Sequence, residues 1–161
     1  MTKLYDGDTF THDGLQFRVK MLWDDYRGLP WEENDCHGPV SDWERREKAP
    51  GELILCSDRG SKRFYDFQAA CKIARDVWGF KTKKEAAEAA RKDFDYLRRF
   101  CDGQWSYVIV DVTLLDDDGD ALEEYSECIG GIESDAEDYI TEIAHELAGE
   151  IVAGLQKTLA A

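Results

Sequence analysis

The chain has 161 residues (18.4 kDa), a net charge of −15, 43% hydrophobic and 12% aromatic residues, enough apolar material for a core, which excludes global disorder. No apolar run approaches the ~20 residues of a membrane span, and the acidic balance disfavours nucleic acid and membrane phosphates as direct partners. The length predicts a single α+β domain over residues 1–161, and an N-terminus without the apolar stretch of a signal peptide predicts a cytoplasmic location.

A first hairpin is predicted around the turn Asp13-Gly14, between Thr9-Phe10-Thr11 and a run in which Leu15, Phe17, Val19, Met21 and Trp23 share one face. Residues 24–50 read as a long loop, with Ser41-Asp42-Trp43-Glu44 spaced as a capping box for one or two helical turns. A second hairpin spans Glu52 to Tyr65. Asp66 then caps a helix carrying Phe67, Ala70, Cys71, Ala74 and Val77 on one face. Thr82-Lys83-Lys84-Glu85 starts a helix to about Phe100, with Ala86, Ala90, Phe94, Leu97 and Cys101 as its buried stripe. The third hairpin runs from Trp105 to Ile129 around Asp116-Asp117-Asp118-Gly119-Asp120. A last helix then buries Ile140, Ile143, Ala144, Leu147, Ile151 and Leu155. The order predicts an antiparallel sheet built from three hairpins with helices packed on one face.

Five cysteines at 36, 56, 71, 101 and 128, odd in number and without a CxxC pair, predict reduced thiols; neither a metal nor a cofactor is expected. The acidic turn does not fit a calcium loop. Aligning Gly119 with the EF-hand glycine leaves Leu114 at the first ligand position and Tyr125 where a glutamate belongs.

Charge is distributed unevenly. Residues 1–110 hold 20 acids against 19 bases, and residues 111–161 hold 15 acids against Lys157 alone. On the last helix Asp138, Glu142, Glu146 and Glu150 form an i, i+4 row opposite the apolar stripe, an arrangement that costs helix stability. Asp135 lies on the same side. Glu123, Glu124 and Glu127 sit on the returning strand, as on an edge guarded by charge. With Asp116, Asp117, Asp118 and Asp120 of the turn, these acids form the candidate partner-binding surface. Carboxylates on successive helical turns lie ~6 Å apart, whereas each DNA strand presents a charge every ~3.4 Å, so DNA mimicry would require helix, turn and strand to act together. A solvated, solubilising face is the plain alternative.

The loop offers a second candidate site in Trp31, Glu32, Glu33, Asp35, His37, Asp42 and Trp43. His37 beside Asp35 could act as a general base with Glu32 or Glu33 as acid; alternatively the two tryptophans pin the loop and its polar groups cap turns. Cys36 and His37 are adjacent, a placement that usually keeps two side chains from converging. No phosphate loop, GxSxG or Rossmann fingerprint occurs.

The stretch Pro30-Trp31-Glu32-Glu33-Asn34-Asp35, followed by Gly38-Pro39-Val40-Ser41-Asp42-Trp43, Cys56-Ser57-Asp58-Arg59-Gly60 and Arg63-Phe64-Tyr65-Asp66-Phe67, resembles a family of small proteins encoded by bacteriophages and prophages. The resemblance implies a genetic setting and no site. Small acidic phage proteins often bind host factors, restriction and CRISPR machinery included, and some mimic DNA. The expectation is a non-enzymatic protein that binds and inhibits a basic, nucleic-acid-acting host defence protein through its acidic C-terminal half. A ligand-binding or catalytic loop and a phage structural or replication accessory role are the alternatives.

Overall fold

The computed structural model describes residues 2–33 and 35–160, so Asn34 of the loop motif lies outside the described residues. In chain order the elements are β1 (Thr9–His12), β2 (Leu15–Trp23), α1 (Pro30–Glu33), β3 (Glu52–Asp58), β4 (Ser61–Asp66), α2 (Phe67–Asp76), α3 (Lys83–Cys101), β5 (Tyr107–Leu115), β6 (Ala121–Glu133) and α4 (Glu137–Ala160). The fold is α+β. No helix among the described residues is long and apolar enough to cross a membrane.

The chain gathers into two compact units, Met1–Arg27 with Trp105–Ala161, and Gly28–Gln104. The first holds a four-stranded antiparallel sheet in the order β1-β2-β5-β6. Asp13 and Gly14 both take positive φ (49° and 78°), the geometry an Asp-Gly hairpin turn demands, and this sets Phe10 opposite Phe17. Val19 pairs with Val112, and Val110 with Ile129. Phe17, Val19, Val110 and Val112 meet Ile140, Ala144, Leu147 and Ile151 of α4 in one buried cluster. Leu15 and Trp23 continue the alternation of β2 but lie exposed at its ends, Trp23 to 75%.

The second unit corrects the expectation of one sheet built from three hairpins. The middle hairpin, β3-β4, is a separate two-stranded sheet. It carries its own core, in which Leu55 and Tyr65 pack on Ala70 of α2 and on Ala90, Phe94 and Leu97 of α3. Asp66 caps α2 through the Ala69 amide and Thr82 caps α3 through the Glu85 amide, as the sequence predicts.

Two further expectations are overturned. Ser41-Asp42-Trp43-Glu44 starts no helix. The Ser41 hydroxyl accepts from the Phe64 amide, and Glu44 exchanges backbone hydrogen bonds with Lys62, so the segment runs along β4. A serine hydroxyl that finds a strand amide is no longer available to cap a helix. Nor are all the thiols reduced. Cys56 of β3 and Cys101 at the end of α3 form a disulfide, their Cα atoms 6.1 Å apart and within bridging range. Outside that bond Cys36 and Cys128 are exposed and Cys71 is half-buried.

Candidate interaction surface

The two units divide the charge completely. Met1–Arg27 with Trp105–Ala161 holds 20 acids against 5 bases, whereas Gly28–Gln104 holds 15 of each. The entire excess therefore belongs to the unit built on the four-stranded sheet, including Asp6, Asp8, Asp13, Asp24 and Asp25 from the N-terminal segment.

Amphipathic patterning positions the row on α4. Ile140, Ile143, Ala144, Leu147 and Ile151 are buried against the sheet, which turns Asp138, Glu142, Glu146 and Glu150 outward, all exposed. At the start of the helix Lys3 reaches Glu137 at 2.8 Å and Asp138 at 3.9 Å, and Asp135 is exposed beside them. Among the described residues no ion pair reaches Glu142, Glu146 or Glu150. Glu142 and Glu146 border a shallow concavity with His12 and His145, whose ring nitrogens lie 3.0 Å apart. Burial first, then His12, lowers the pKa of His145, so this imidazole supplies no cation to its glutamates at neutral pH.

β6 is an edge strand, and its register explains which acids join the helix. Glu127 pairs with the buried Val112 and so lies on the α4 side of the sheet. Glu124, Glu127 and Glu150 then line one groove of about 220 Å³ with Tyr125, Ile151 and Leu155. Glu123 acts instead near Asp111, whose carboxyl is pushed above its usual range by burial and then by Glu123, while Lys20 and Arg18 oppose the shift. In the β5-β6 turn Asp116 is occupied internally, accepting from the amides of Asp118 and Asp120 at 2.9 Å each. Asp117, Asp118 and Asp120 are exposed at the tip. The acids therefore spread over turn, edge strand and helix: Glu124, Glu127 and Glu150 converge on one groove, and Glu142 and Glu146 on the concavity beside His145.

No known protein family, curated protein or solved structure matches the chain.

The loop site differs from its expected form. Glu32 and Glu33 accept from the amides of Leu29 and Gly28 and so cap the α1 turn. His37 pairs with Asp93 of α3, not with Asp35, which is exposed, as is Asp42. Trp31 and Trp43 do come together, bordering a cavity of about 440 Å³ with Arg63, Arg98, Phe100 and the disulfide. The Arg63 guanidinium lies 4.9 Å from the Trp43 ring centroid and 5.5 Å from that of Trp31, and Arg98 bonds the Ile54 carbonyl at 2.9 Å. Both guanidinium groups thus hold the loop and β3 in place. The sequence reading missed Asp93 and Arg63. Each sits in a run of mixed charge that resembles an ordinary solvated surface, and no local spacing marks either.

Proposed function

We propose that this is a non-enzymatic binding protein whose anionic unit docks on the cationic, nucleic-acid-binding surface of another protein and blocks it. The observation that carries this reading is the partition of charge: 20 acids against 5 bases on one unit and balance on the other. A requirement for solubility alone would favour no such segregation. Glu142, Glu146 and Glu150 with Glu124 and Glu127 supply the contact, and the exposed turn acids extend the attractive field. Complementary charge of this kind speeds encounter, from about 10⁵–10⁶ to as much as ~10⁸ M⁻¹s⁻¹ at low salt, and excludes wrong partners more than it adds affinity. The spread over three elements favours a broad electrostatic match over a phosphate-by-phosphate copy of DNA. A bacteriophage origin and action on a host defence protein in the host cytoplasm complete the proposal, on the strength of the sequence resemblance.

The test is capture from host lysate at 50 and 500 mM salt, followed by competition between the chain and labelled duplex DNA for the captured protein. Capture should fade at high salt and DNA should be displaced stoichiometrically. The Glu124, Glu127, Glu142, Glu146 and Glu150 to Gln variant should fold and lose both effects. Undiminished capture by that folded variant refutes the assignment.

A further inference from the structure

Residues 36–38 form an arrangement that the acidic unit does not use. The Cys36 thiol lies 3.9 Å from His37 Nε2, and the other nitrogen of that ring, Nδ1, lies 2.5 Å from Asp93 Oδ1. A carboxylate facing Nδ1 favours the proton there, which leaves Nε2, the nitrogen nearer the sulfur, as the acceptor. Asp93 is itself held: Oδ2 accepts from the Gly38 amide at 2.8 Å and from the Tyr65 hydroxyl at 2.7 Å. The imidazole is stacked on Tyr96, with centroids 5.7 Å apart and planes within 14°. The side chains of His37 and Asp93 are only 9% exposed, whereas Cys36 faces solvent. An ion pair serving only to pin the loop would account for Nδ1; it leaves the thiol at Nε2 unexplained.

We propose that Cys36 is an activated thiol, with His37 as its base and Asp93 as a positioning residue, that exchanges with low-molecular-weight disulfides. The thiol proton passes to His37 Nε2, and the thiolate attacks one sulfur of the small disulfide. A new sulfur–sulfur bond to Cys36 forms as the old one breaks. The departing thiolate takes the proton back from His37, so one disulfide and one thiol are exchanged for another of each. This chemistry needs an accessible thiolate and a proton partner, and no cradle for a carbonyl oxygen. The other cysteines serve as internal standards: Cys128 is exposed, and burial pushes the Cys71 thiol up.

The experiment follows alkylation by iodoacetamide and mixed-disulfide formation with oxidised glutathione from pH 5.5 to 9, with each cysteine quantified by peptide mass spectrometry. At pH 6.5 Cys36 should react about tenfold faster than Cys128. His37→Asn keeps a donor for Asp93 but removes the base. It should slow Cys36 about tenfold at that pH and move its profile toward that of an ordinary thiol (pKa ~8.5), with circular dichroism unchanged. Asp93→Asn should give a smaller shift of the same profile. Identical profiles for Cys36 and Cys128 in the unaltered protein, a comparison that needs no variant to fold, overturn the proposal. So does a folded His37→Asn protein with undiminished Cys36 reactivity.

Discussion

Replacing Glu142, Glu146 and Glu150 with glutamine should stabilise the protein. Successive members of the α4 row, Asp138 included, stand one turn apart, about 6 Å along the axis, and form three like-charge i, i+4 pairs. Each such pair costs about 0.2–0.5 kcal/mol, so removing the three returns about 1 kcal/mol. Glutamine and glutamate differ little in helix propensity, and the helix dipole fades within the first turn, so the gain is electrostatic. For a chain of this size it corresponds to a rise in Tm of about 2–4 °C. Salt supplies an internal control, because a screening length of ~3 Å at 1 M should give the unaltered protein most of the same increment. Thermal melts followed by circular dichroism at 50 mM and 1 M NaCl should therefore show the two proteins converging as salt rises. A variant that melts no higher at low salt, or that keeps the full salt increment, would refute the reasoning and show that the row is neutralised locally.

A methyl group on Gly38 would stand 2.6 Å from the Tyr65 hydroxyl and 2.7 Å from the Ala70 methyl, so Gly38→Ala should cost about 1–3 kcal/mol in urea denaturation, and a change within experimental error would contradict that packing. Glu52 accepts from both terminal nitrogens of Arg46, at 2.7 and 2.8 Å, and that bond, aided by the Ala49 amide, lowers its carboxyl from 4.5 to about 2. A lowered carboxyl stabilises the fold above its unfolded value and loses that contribution as pH falls from about 4.5 toward 2. Glu52→Gln should thus flatten the fall in urea midpoint across this window, and an unaltered acid profile would remove the pair from the account.

The hairpins and helices were legible because their signals are local. Asp13-Gly14 needs only two positive φ angles, and Asp66 and Thr82 meet amides three residues ahead. What the sequence concealed depends on distant partners. Cys56 and Cys101 are 45 residues apart, and His37 and Asp93 are 56 apart, so no spacing rule could pair them. Ser41 carried a valid capping pattern but lost its hydroxyl to the amide of Phe64, 23 residues away. The alternation of β2 holds at Phe17 and Val19, yet Leu15 and Trp23 at its two ends are exposed, a difference that alternation along the strand does not encode. For the acidic surface, composition showed the excess, and only the path of the chain showed that it stops at a unit boundary.

That path carries a consequence of its own. Trp23 pairs with Val108, and Asp24 bonds to Tyr107, so the chain leaves and rejoins the four-stranded sheet at neighbouring strand ends. With residues 28–104 set aside, what remains is a simple up-and-down meander followed by a helix, the strands adjacent in the order they are made. The neutral segment is thus topologically a guest in one hairpin connection, the kind of position where whole modules can be spliced in or cut out without rethreading the host. A short bridge across that opening gives a direct route to a miniature form that retains every excess charge.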